Sequence, residues 1–168
     1  MPRIATALAL ALAPVLASAE ACPWLSADVA AQVILATPAD SKVEKNPVFG
    51  NTKGMEASTT CRFKAADELA GSLSVIVMEF GSYEAATAAY RRELEAQGSR
   101  ARPSKIGANP AFSTHDPGFS AASCAVKGKR LLFVNHAFSK RVNEAVAKDP
   151  DGAVLSTHEV ARQVLGRL

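Results

Sequence analysis

Apolar and polar positions alternate along this chain at two distinct periods, and the switches between them mark out the elements. Residues 4–16 form an unbroken run of Ala, Leu, Ile, Val, Thr and Pro behind Arg3, ending at Ala17-Ser18-Ala19. Small residues at those positions are what a signal peptidase needs. The run falls short of the roughly 20 residues that a helix needs to cross a bilayer. Residues 1–19 therefore read as a signal peptide and residues 20–168 as a single domain. After it, Val29, Ala30, Val33 and Ile34 recur at helical spacing, with Ser26 as N-cap and Leu25 ahead of it as a staple. Pro38 stops that helix, so it is read over 26–36. Residues 37–56 are rich in Pro, Lys, Asn, Gly and Thr and carry no apolar period, which predicts a long surface loop.

The period then changes to two. In 57–65, Thr59, Cys61 and Phe63 fall on one face and Thr60, Arg62 and Lys64 on the other. A turn at 67–71 leads into 73–80 (LSVIVMEF), which is apolar on both faces and so belongs at the centre of a sheet. Gly81 ends it and Ser82 caps a second helix, read over 82–97, with Tyr83, Ala86, Tyr90 and Leu94 as its inward stripe and Gly98 as its stop. Short strands follow at 102–106 and 111–114, separated by turn chemistry at Gly107-Ala108-Asn109-Pro110. Residues 119–126 and 130–138 form a hairpin about Lys127-Gly128-Lys129, the second strand (RLLFVNHAF) being strongly β-prone. A short helix is read over 142–148. Asp149-Pro150-Asp151-Gly152 reads as a break, after which Ser156 or Thr157 caps a last helix carrying Val160, Val164 and Leu168. Strands arriving in hairpins, not in strand–helix–strand units, predict an α+β fold: an antiparallel sheet with about three helices, mainly on one face.

Composition narrows the function classes. The chain is 48% hydrophobic and 21% charged, which is globular, and only 6% aromatic, so aliphatics and seven Phe must build the core. A net charge of +3, part of it Arg3 in the leader, provides no field for nucleic acid or an anionic membrane. The short basic clusters at 100–105 and 127–130 read as solvated turns.

Export makes a disulfide the expected fate of cysteine, yet Cys22, Cys61 and Cys124 leave one over. Two partitions compete. Either Cys22 bonds Cys61 and Cys124 is a buried thiol, or Cys22 carries a lipid and Cys61 bonds Cys124. A lipid-attachment signal calls for Leu and small neutral residues before the cysteine, whereas Ala19, Glu20 and Ala21 stand there. Soluble export with a Cys22–Cys61 bond is the preferred reading, placing the protein in the periplasm or outside the cell.

Candidate chemistry is sparse. His115 and Asp116 are adjacent in a turn-like stretch, and neighbours at that spacing seldom orient one another for acid–base work. His136 lies within a strand on the face of Leu132, Val134 and Phe138, and His158 in the first turn of the last helix. The three share no metal-ligand spacing, so neither a metal nor a cofactor is expected. A Cys124–His136 pair is conceivable across the hairpin, but the turn centre places Cys124 opposite residues 130–132. There is no Gly-x-Ser-x-Gly elbow and no phosphate-binding loop. The residues read as facing a ligand are Arg62 and Lys64 on the polar side of the first strand, with His115 and His136.

Cys22-Pro23-Trp24-Leu25-Ser26 opening a helix, Cys61-Arg62-Phe63 in the first strand, the 82–90 helix start, and 106–112 (IGANPAF) resemble a group of small exported bacterial envelope proteins and lipoproteins, many of them actinobacterial. Lys127-Gly128-Lys129-Arg130-Leu131 resembles their late hairpin. The resemblance implies an α+β envelope binding or sensor-like module meeting an envelope protein or a small ligand. This chain has Asn109-Pro110 where the group often carries an acid, so that acid's role does not transfer. The expectation is a non-enzymatic exported module that does not span the membrane. The alternatives are a small hydrolase built on His115 or His136, and a secreted inhibitor presenting the 37–56 segment.

Overall fold

The computed structural model describes residues 21–36, 38–45, 53–65, 71–138, 140–146 and 148–168. The leader at 1–19 and most of the turn at 67–71 lie outside them. Among the described residues the chain forms four α-helices and seven strands. In order these are α1 (Ala27–Ile34), β1 (Pro38–Lys45), β2 (Met55–Ala65), β3 (Ser72–Phe80), α2 (Tyr83–Gln97), β4 (Arg102–Ile106), β5 (Asn109–Asp116), β6 (Ser120–Lys127), β7 (Arg130–Ala137), α3 (Lys140–Val146) and α4 (Pro150–Arg167). The strands make one antiparallel sheet in the order β1-β2-β3-β7-β6-β5-β4. The fold is α+β, as the hairpin pattern predicts.

Register sorts the residues onto two faces. On one, Val75, Val134 and Ser123 align across β3, β7 and β6, beside a second row of Val77, Leu132 and Ala125. Ile34 of α1 and Val160, Val164 and Leu165 of α4 pack on these rows, forming the larger core with Leu73 and Phe63. Val142 of α3 is buried on this same side, beside Gly71. Burial on this scale is the dominant stabilising term, at about 25 cal/mol per Å² of apolar area. A Cys22–Cys61 disulfide ties the start of α1 to β2, and Cys124 is the buried free thiol. A buried hydroxyl chain crosses the layers. Thr157 of α4 donates to the Val154 carbonyl at 2.9 Å, accepts from Ser123 at 2.9 Å, and Ser123 accepts from Ser113 at 3.3 Å.

The opposite face carries Met78, Phe80, Leu131, Val126, Cys124 and Phe112, covered by Ala86, Ala89 and Tyr90 of α2. Thus α1, α3 and α4 share one face and α2 holds the other. The reason is topological. The chain leaves the sheet at β3 in its centre and must reach β4 at the far edge, and α2 makes that crossing.

Several expectations need correcting. The 37–56 segment is not one loop, because 38–45 pairs with β2 as an edge strand. Its residues (PADSKVEK) are polar, which suits an edge and hides it from an apolar-period test. The last helix does not begin at Ser156 or Thr157. Asp149 caps it by accepting from the Gly152 amide at 3.1 Å, and Pro150 takes the first helical position, where its missing N–H is harmless. Tyr83 is 50% exposed and is not part of the inward stripe, which runs through Ala86, Ala89 and Tyr90. Asn109 and Pro110 open β5 and are not turn residues. Cys124 lies opposite Phe133, one residue beyond the expected 130–132.

Candidate functional site

The α2 helix is positioned by its cap and its small residues. The Ser82 hydroxyl accepts from the Ala85 amide at 3.1 Å, and Gly98 closes the helix at φ +53°, a conformation that glycine adopts without penalty. Ala86 and Ala89 let the helix sit close to the strands, while Tyr90 meets Phe112 with ring centroids 5.6 Å apart. This packing covers only the end of the face where β3 finishes. Toward the other end two rows have no described helix over them: Arg62, Ser74, Asn135, Ala122 and Thr114 in one, Lys64, Ser72, Ala137, Ser120 and Asp116 in the next.

A cleft of about 560 Å³ opens at the boundary between the covered and uncovered halves. Its floor is apolar, made of Ile76, Phe112, Phe133 and Cys124. One wall is the C-terminal half of α2 with Glu93, Gln97 and, just beyond it, Arg100. The opposite rim is polar, with Thr114, Ser120 and Asn135. Alternation along β5, β6 and β7 produces this arrangement, since every second residue faces the cleft and the residues change from aromatic to small and polar along the strand. An apolar floor with a few convergent polar groups is the usual architecture of a small-ligand site. Burial pushes the Cys124 thiol well above its ordinary pKa, and the Glu93 carboxylate beside it adds to that, so the thiol stays protonated and unreactive. Burial also raises the Tyr90 phenol.

The residues singled out in the sequence are not brought together. Arg62 and Lys64 are exposed on the same sheet face as the cleft, on β2, and Arg62 lies 3.6 Å from the Glu44 carboxylate. His115 touches the cleft's edge, but its ring stands 6.1 Å from that of Phe138 and its Nε2 is buried without a partner. His136 is 2% exposed on the α4 face, in edge contact with Phe138 at 5.1 Å. Cys124 and His136 are on opposite faces, three register steps apart, so they form no couple. Among the described residues, neither His115 nor His136 has a hydrogen bond or ion pair to a carboxylate. The cleft itself was missed by sequence reasoning. The one signal for it was the two-sided apolar character of 73–80 and 130–138 set against the small polar residues of 120–123.

No family model matches the chain, and no curated protein matches it. Among solved structures it is similar to the extracellular domain of PknH from Mycobacterium tuberculosis, with a TM-score of 0.50 and 11% sequence identity, over 82% of this chain and 92% of that one. At this identity the likeness concerns the fold. No described helix is long and apolar enough to cross a membrane.

Proposed function

We propose that this chain is an exported, non-enzymatic binding module that holds a small ligand in the cleft between α2 and the uncovered half of the sheet. The observation that carries the reading is the half-covered face, where aromatic and aliphatic floor residues end in a polar rim in one continuous cleft. Export is supported by the leader-like first nineteen residues, by the Cys22–Cys61 bond, which persists in oxidising compartments, and by a fold shared with an extracellular domain. The same features support a periplasmic or secreted location. Arg62 and Lys64 extend the polar rim toward β2 and would steer an anionic group or a partner toward the cleft.

The test is a blocked cleft. Ala122, half-buried in the row beside the floor, tolerates a large side chain because it projects into open space. Native mass spectrometry of the protein prepared from the envelope fraction under non-denaturing conditions should show a bound small molecule, and Ala122→Trp should lose it. A protein without any adduct, or a variant that keeps it, contradicts the proposal.

A further inference from the structure

The α2 wall of the cleft carries an acid and a base that nothing in the described fold neutralises. Glu93, Gln97 and Arg100 line it from the helix and the short turn that follows. Glu93 is half-buried, and its charge reaches the Cys124 thiol on the floor. Among the described residues the side chains of Glu93, Gln97 and Arg100 make no hydrogen bond or ion pair with the protein. A carboxylate held beside apolar surface loses part of its hydration, and a bound cation compensates for that loss. The other carboxylate at the cleft, Asp116, stands in the outermost row of the sheet face, two rows beyond Phe112 and Cys124. Helical rise carries Gln97 about 6 Å along the wall from Glu93, and the further step to Arg100 sets the acid and the base about 10 Å apart.

We propose that the ligand of the cleft is a short apolar peptide, about three residues long, lying along α2 with its N-terminal amine at Glu93 and its C-terminal carboxylate at Arg100, an assignment that rests on the reading of the cleft as a ligand site. An extended chain advances about 3.3–3.6 Å per residue, so about three residues span the two charges. A single amino acid, whose amine and carboxylate share one carbon, does not reach both. Apolar side chains of the peptide lie on Ile76, Phe112 and Phe133. Its amides meet Gln97, Thr114 and Asn135, whose side chains each donate and accept and so satisfy N–H and C=O groups alike.

The tripeptide Ala-Leu-Leu has the required length and chemistry. Titrated into the ¹⁵N-labelled protein at about pH 6.5, where its amine is charged, it should give saturable amide shifts at Gln97, Phe112 and Asn135. Acetylating the amine or amidating the carboxylate should each weaken binding by about tenfold, the scale of one charge-assisted hydrogen bond. Free leucine should bind more weakly than either capped peptide. Glu93→Gln should erase the difference between free and acetylated peptide, and Arg100→Gln the difference between acid and amide. Both variants should keep the wild-type melting temperature, since neither side chain has a partner to lose. Equal binding of the capped and free forms, or a preference that survives both variants, would overturn the proposal. So would peptide binding that persists in Ala122→Trp, because the peptide would then sit elsewhere. An envelope-derived adduct displaced by Ala122→Trp, in a protein that does not bind the peptide, would reject the peptide and leave the cleft a ligand site.

Discussion

At the scale of single residues the protein turns on two buried groups that water would normally claim. His136 is neutral in the fold because desolvation lowers its pKa from 6.5 to about 4. An unfolded chain takes up that proton near its ordinary value. Stability is therefore unaffected above pH 6.5 and declines as pH falls from there toward 4, by roughly 3 kcal/mol in all. Urea unfolding of the wild type between pH 7 and 4 should show that slope, and His136→Leu should flatten it. Equal slopes would show that the group is not desolvated. Cys124 behaves in the reverse sense, as a protonated thiol in a closed floor. Iodoacetamide at pH 7 should label it only after unfolding, and rapid labelling of the native protein would contradict its burial. Strand alternation made the placement of His136 beside Leu132, Val134 and Phe138 legible. It could not show that Ser58 and Thr60, on the polar side of β2, are buried. That depends on residues distant in sequence which cover them.

Elements were legible where their signals were local. Ser26 and Ser82 cap α1 and α2 as the sequence indicates, and β3 and β7 lie at the sheet centre as two-sided apolar runs require. The two misread regions share a cause. The β1 strand is stabilised by backbone pairing with β2 and carries almost no apolar pattern. The start of α4 was hidden because Asp-Pro-Asp-Gly is turn chemistry in isolation, while Asp followed by Pro is also an N-cap followed by a good first helical residue. The caps provide a direct comparison. Ser82→Ala and Asp149→Ala should each lower stability by about 1 kcal/mol. Ser82→Ala should in addition weaken whatever binds the cleft, because α2 forms its wall, whereas Asp149→Ala should leave cleft binding unchanged. Equal binding losses in both would mean that binding follows global stability and not the α2 wall, and unchanged binding in Ser82→Ala would mean that the cleft does not depend on α2.

At the scale of the whole molecule, topology decides what the sequence could not. Which strand neighbours which was invisible, because the β3–β7 pairing joins residues more than fifty positions apart, as in Leu73 opposite His136. The crossing of α2 from sheet centre to sheet edge follows from that pairing, and the cleft follows from the crossing. The cysteine partition was legible through arithmetic and compartment alone. The Cys22–Cys61 bond closes a separation of 39 residues, for which chain entropy assigns about 4 kcal/mol. Replacing both cysteines with Ser should lower stability by that order in denaturant unfolding, and a change well below 1 kcal/mol would show the bond to be incidental.

The central claim is that ligand occupies the uncovered half of the α2 face. Backbone amide mapping by NMR, with a small-molecule extract of the native envelope titrated into the labelled protein, tests it most directly. Shifts are expected to cluster at Gln97, Phe112, Thr114, Ala122 and Asn135. Shifts confined to the edge strands β1 and β4, or none at all, would contradict it.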